Sequence, residues 1–174
     1  MHDSLQVLLS REQILSKVEQ LGRDISDEYR GKELLMVCIL KGAVVFFADL
    51  IRCMTVPIKI DFMAVSSYGK ATKTSGVVRI LKDLDSGIEG RNVIIVEDII
   101  DTGLTLNYLI DNLKSRKPAS LKICVLLDKV DCRQVEVNAD YQGFVIPDEF
   151  VVGYGLDCAE KYRNLAEVCI LTTA

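Results

Sequence analysis

Glu97, Asp98 and Asp101 crowd one short segment, VIIVEDIIDTGLTL, and Thr102-Gly103-Leu104-Thr105 follows at once. Carboxylates accept hydrogen bonds from hydroxyls and ligate Mg²⁺ directly or through water. A Thr/Gly turn that opens a helix offers unpaired N–H groups and partial positive charge, which suit one phosphate. There is no GxxxxGK[ST] loop, so a single terminal phosphate fits better than a nucleoside triphosphate. Two plainer readings stand beside this one. Asp101 or Thr102 could simply cap the helix, and the acids could be solvated on a loop. Adjacent acids ending an apolar strand are costly unless they meet water, metal or hydroxyls. The combination therefore reads as a ribose beside a phosphate: acids for the diol, the helix end for the 5′ group.

Other candidates also follow apolar runs: Lys41-Gly42, Asp128-Lys129 and Asp157. Lys129 can only donate, so it would favour an oxo over an amino partner. Arg163 carries a planar fork of donors suited to phosphate oxygens. Taken singly, Lys129 and Arg163 read as surface ion pairs, Phe150 as core and Asp157 as a turn former. Only convergence at one place would change that.

The elements that must position these residues come from apolar periodicity. Ser10 and Gln13 form a capping-box pattern, and Ile14, Leu15, Val18, Leu21, Ile25 and Tyr29 recur at helical spacing. Gly31 suits the C-cap. Residues 34–40 read as a strand buried on both faces, 43–54 as a helix, and 58–65 as a half-covered strand with Ile58, Ile60, Phe62 and Ala64 on one face. Residues 77–81, 92–97, 121–127, 150–155 and 168–171 read as further strands, with a helix ending near Lys114. The polar segment 66–76 is either a hairpin connection or a lid. Alternating strands and helices predict one α/β domain, 1–174, with a largely parallel twisted sheet flanked by helices. Ligands of such sheets bind beyond the carboxyl ends of the strands.

Bulk properties narrow the function. The 174 residues are 49% hydrophobic and 26% charged, with net charge −4. That balance argues against a general nucleic-acid or membrane binder. No apolar run is long enough to span a bilayer, and the N-terminus lacks a secretory pattern, so a cytoplasmic location is the default. Six cysteines include no CxxC, and the one histidine is His2. Zinc ligation and Ser-His-Asp or Cys-His catalysis are disfavoured. Cys38, Cys124 and Cys169 lie in apolar runs and read as buried thiols.

VIIVEDIIDTGLTL resembles the phosphoribosyl-pyrophosphate signature of the purine phosphoribosyltransferases, most closely the hypoxanthine-guanine branch. ILKGAVVFFADLI, SSYG, LLDK and PDEFVVGYGLDCAEKYRNL resemble that family in the same order. The resemblance implies the type I fold, a Rossmann-like core with a small hood from the terminal segments. It implies transfer of the 5-phosphoribosyl group from phosphoribosyl pyrophosphate to hypoxanthine or guanine, giving IMP or GMP and pyrophosphate in purine salvage. It also implies site roles. Glu97 and Asp98 would hold the ribose hydroxyls and share Mg²⁺ with the diol. Asp101 would be the general acid/base near purine N7. Thr102, Gly103, Leu104 and Thr105 would bind the 5′-phosphate. Lys41, Gly42 and Arg163 would contact pyrophosphate, with the peptide before Lys41 often cis. Ser67 and Tyr68 would lie on a closing loop. Lys129 would donate to the 6-oxo group, Phe150 would stack on the base, the Val151 backbone would read its edge, and Asp157 would bind a second Mg²⁺. Homodimers or homotetramers are implied too.

Departures from the family pattern are Cys158, Ala166 and KVDCRQ; none removes a proposed catalytic group. Two other functions fit parts of the pattern. An RNA-binding pyrimidine-operon regulator on the same fold would need a basic face. A receiver-like phosphate-sensing module would leave LKG and PDEFVVGYGLD without a role.

Overall fold

The structure is a computed structural model that describes residues 4–67 and 78–172. Tyr68 and most of the 66–76 segment lie outside these residues. In chain order the elements are β1 (Ser4–Leu9), α1 (Arg11–Glu28), β2 (Leu34–Leu40), α2 (Val44–Arg52), β3 (Ile58–Ser67) and β4 (Val78–Lys82). There follow β5 (Asn92–Ile100), α3 (Leu104–Lys114), β6 (Ser120–Asp128), β7 (Tyr141–Val145), β8 (Val151–Val152) and β9 (Val168–Thr172).

Six strands form the main sheet in the order β4-β3-β2-β5-β6-β7. β3, β2, β5, β6 and β7 run parallel, and β4 is an antiparallel edge. This bears out the α/β reading. β2 and β5 are central, and their continuous apolar runs follow from burial on both faces. One core cluster packs α1 and α2 on one face, including Ile14, Leu21, Phe46 and Leu50. The other packs α3 through Leu106, Leu109 and Leu113. The helices thus cover both faces, and the carboxyl ends of β2, β5 and β6 are left open at one rim. A separate three-stranded sheet, β1-β9-β8, draws on the terminal segments and forms the hood.

Ser10 caps α1 through the full reciprocal box: Gln13 N donates to Ser10 Oγ at 3.3 Å, and Ser10 N to Gln13 Oε1 at 2.9 Å. The helix ends earlier than Gly31 suggests, with Tyr29 as C-cap; Gly31 serves the following turn at φ 74°. α2 stops at Arg52 rather than 54. In β3 the face expected to be half-covered packs Ile58 and Phe62 against the core and leaves Ile60 exposed, while Asp61 and Met63 on the other face are buried more fully. Asp61 is tolerated there because Phe62 N and Asp85 N donate to its carboxylate. The 150–155 run contributes only two strand residues, because left-handed Gly153, Tyr154 and Gly155 turn the chain away. β1 and β7 have no counterpart in the sequence reading. Among the described residues, no helix is long and apolar enough to cross a membrane.

Candidate active site

β5 does not end at residue 97. Its ladder with β6 continues to Ile100, opposite Asp128. Glu97 and Asp98 therefore sit inside the last turns of a strand and not in a loop. Glu97 is buried. Burial, then the neighbouring Asp98 charge, holds its carboxyl well above the usual range. Burial likewise pushes Asp98 up to about 6, against a hydrogen bond from Ile99 N at 2.7 Å that favours its charged form. A buried acid beside a half-buried one wants a cation or hydroxyl donors.

The turn 101–103 follows, and α3 starts from Gly103 in the left-handed region at φ 82°, with no side-chain cap. This removes the plain capping role of Asp101; Thr102 Oγ1 accepts only a long bond from Leu104 N, at 3.4 Å. The helix end thus keeps donors for an anion. Glu97, Asp101, Thr102, Gly103 and Thr105 line a hollow of about 110 Å³ there.

β6 delivers Asp128 and Lys129, both buried. Lys129 Nζ lies 3.7 Å from Asp101 Oδ2 and 3.4 Å from Asp148 Oδ1. Lys129 is therefore not the surface ion pair that it resembles in isolation. Asp101 is 53% exposed at its side chain and open to a ligand.

β2 ends at the Leu40–Lys41 peptide, which is cis. Gly42 lies against Asp98: a Cβ there would stand 1.7 Å from Asp98 Oδ2. The 153–163 segment closes over this junction, and a Cβ on Gly155 would meet Gly42 O at 2.2 Å. Arg163 Nη1 donates to Gly155 O at 2.8 Å, and Nη2 pairs with Asp157 Oδ1 at 2.7 Å. Lys41, Gly42, Asp98, Asp157 and Arg163 share a cleft of about 300 Å³. Glu160, which the sequence reading passed over, lies 3.2 Å from Lys41 Nζ and 3.5 Å from Arg163 Nη2.

Phe150 and Val151 stand apart from both hollows. Phe150 is 54% exposed, as a stacking platform would be; the Val151 side chain is buried and its strand pairs with Ile170. Asp148 connects this segment to Lys129. β3 brings Ser67 to the rim opposite Val78. Asp148 could have been singled out from PDEF, next to Phe150.

Among the described residues, no group of three His, Cys, Asp or Glu could hold a metal alone. The donor set nevertheless fits Mg²⁺, which usually takes one or two carboxylates and completes its shell with water and ligand phosphates. Asp98 and Asp157 face the same cleft, with Glu97 beside Asp98.

Comparisons with known proteins agree with this geometry. The phosphoribosyl transferase domain family matches residues 5–159. The chain is 50% identical to a hypoxanthine-guanine phosphoribosyltransferase of Bacillus subtilis over 99% of this chain and 96% of that one. It is 53% identical to one from Mycobacterium avium, covering 95% of this chain and 85% of that one. A bifunctional TilS/HprT protein of Listeria monocytogenes is 52% identical over 98% of this chain, which spans only 26% of its length. A crystal structure of a hypoxanthine-guanine phosphoribosyltransferase from Bacillus anthracis superposes with a TM-score of 0.92 at 48% identity, covering 99% of this chain and all of that one. A hypoxanthine phosphoribosyltransferase from Staphylococcus aureus gives 0.93 at 48% identity, covering 96% and 91%. On its motifs, its fold and these relatives, the chain belongs to the phosphoribosyl transferase family, within its hypoxanthine-guanine branch.

Proposed function

We propose that the protein transfers the 5-phosphoribosyl group from phosphoribosyl pyrophosphate to hypoxanthine and guanine, releasing pyrophosphate with IMP or GMP. The observation that carries this reading is the position of Lys129. It is a buried donor within 3.7 Å of the exposed Asp101 carboxylate, at the mouth of an uncapped helix end.

The 5′-phosphate accepts from the N–H groups at the start of α3 and from Thr102 and Thr105. Glu97 and Asp98 accept from the ribose hydroxyls. Lys41, the Gly42 backbone and Arg163 take the pyrophosphate, with Lys41 giving up Glu160 and Arg163 giving up Asp157 and Glu160. Lys129 donates to the 6-oxo oxygen; the 6-amino group of adenine is itself a donor and cannot accept that bond. Phe150 stacks on the base, and the Val151 backbone reads its edge. Asp101 takes the N7 proton as N9 bonds to C1′ and pyrophosphate leaves. Ser67 and Tyr68 belong to a segment that shields the activated sugar from water. Glu97 and Asp98 would share one Mg²⁺ with the diol and Asp157 would hold a second, and these ions would supply positive charge to the diol and pyrophosphate oxygens. This explains how a chain of net charge −4 takes a polyanion. We assign the activity to the cytoplasm, where the six free cysteines stay reduced, and to a homodimer or homotetramer of single-domain chains.

The test is stoichiometric. With phosphoribosyl pyrophosphate, Mg²⁺ and hypoxanthine, the protein should yield IMP and pyrophosphate in equal amounts, and chelator should stop it. No IMP with Mg²⁺ present, or full turnover in chelator, would contradict the reading.

A further inference from the structure

We infer that Arg133 is a positioning residue that sets the separation of Asp101 and Lys129, and so matches the site to the neighbouring N7 and 6-oxo positions of a purine. The inference rests on the function proposed above. Arg133 lies in the KVDCRQ segment, where the chain departs from the family pattern, and it reaches no proposed ligand contact.

Its guanidinium ties three segments together. Nη1 donates to Ile100 O at 2.9 Å and to Asp101 O at 2.7 Å. Nε donates to Val137 O at 3.3 Å. Nη2 donates to the Asp128 carboxylate, whose second oxygen accepts from Gln142. The pair is well buried, with 16% of the Arg133 side chain and 4% of Asp128 exposed. Ile100 O also accepts from Lys129 N at 3.0 Å, and Thr102 O accepts from Gln134 N at 2.9 Å. The carboxyl ends of β5 and β6 are therefore clamped at the two residues that bear the purine-facing groups. Asp101 needs such a clamp: its side chain is half exposed, and Gly103, two residues on, leaves the turn without a side-chain cap. Only a planar fork with several N–H groups serves three carbonyls and a carboxylate at once. A lysine keeps the charge toward Asp128 but cannot span all four.

The alternative is a merely structural ion pair. Arg116 provides the comparison. It pairs with both oxygens of Asp83 at 2.8 and 2.9 Å and accepts no part in the site. R133K, R133Q and R116Q are assayed with hypoxanthine for kcat and both KM values, and melted without ligand. R133K should fold, lose about 10- to 100-fold in kcat and raise the hypoxanthine KM. The KM for phosphoribosyl pyrophosphate should move less than about threefold. R116Q should lower the melting temperature with kcat intact. Wild-type kcat and hypoxanthine KM in R133K, or an equal kcat loss in R116Q, would overturn the inference. A crystal structure of R133K decides without turnover. Displacement of the Asp101–Lys129 pair supports the clamp, and retention of the 3.7 Å separation refutes it. If the wild-type protein transfers no ribosyl group, the proposed function fails, and this structure still decides the clamp.

Discussion

Gly42→Ala probes the junction between the end of β2 and the Asp98 carboxylate. An added Cβ would stand 1.7 Å from Asp98 Oδ2 and 2.8 Å from Asp98 Cγ. Carbon contacts settle near 3.5–4 Å, so the carboxylate must retreat by roughly 2 Å. It can do so by rotating, because its outer end is what blocks the way. Rotation gives up the Ile99 N bond to Asp98 Oδ1 at 2.7 Å. A hydrogen bond of this kind contributes about 1–2 kcal/mol, which corresponds to a few degrees of melting temperature in a chain of this size. On the proposed role of Asp98, the larger effect falls on function, since its carboxylate is turned away from the ribose hydroxyls that it would bind. The KM for phosphoribosyl pyrophosphate should rise about tenfold, or about 1.4 kcal/mol. Gly90→Ala is the control: it has φ +70° and nothing within 4 Å of an added Cβ. It should cost about 1–2 kcal/mol of left-handed strain with no change in KM. Titration of phosphoribosyl pyrophosphate at saturating hypoxanthine, with a thermal melt of each variant, reads both quantities. A wild-type KM in Gly42→Ala, or an equal rise in Gly90→Ala, would refute the reasoning.

Asp101→Asn should lower kcat far more than it weakens phosphoribosyl-pyrophosphate binding; an unchanged kcat would remove the acid/base role. Lys129→Ala should weaken use of 6-oxopurines selectively, by about 1–3 kcal/mol in kcat/KM; an unchanged base preference would take Lys129 out of the site. The acids also predict a pH slope. Asp98 is pushed up to about 6 from an ordinary 3.8, so the folded chain binds this proton more tightly than the unfolded one. Its contribution is full below about 3.8 and is lost as pH rises through about 6. Urea midpoints of ligand-free protein in chelator should fall over that window, and less so in Asp98→Asn; equal slopes would count against the burial argument.

The parts of the site legible in the sequence are those with local pattern. Glu97 to Thr105 is contiguous, and a strand-turn-helix places it without help from elsewhere. Lys41, Lys129 and Asp157 follow their strands and needed only the rule that such sheets bind at carboxyl ends. The strand read as 92–97 ends three residues too early because acids rarely continue an apolar ladder, yet β6 runs to Asp128 and keeps β5 in register as far as Ile100. β1 carries no clear signal because it is an exposed edge of the small sheet, paired only with β9. β7 is short and only partly buried. Arg133 and Glu160 were invisible for another reason. Arg133 bonds chiefly to main-chain carbonyls and Glu160 reaches Lys41 far along the chain, and neither contact leaves a periodicity.

The central claim is that this strand-end site builds nucleotides on 6-oxopurines. One base panel tests it directly: hypoxanthine, guanine, adenine and uracil, each with Mg²⁺ and phosphoribosyl pyrophosphate, with nucleotide and pyrophosphate measured. The account predicts IMP from hypoxanthine, GMP from guanine, and neither nucleotide nor pyrophosphate release with adenine or uracil. Comparable transfer to adenine or uracil, or none to the 6-oxopurines, would contradict it.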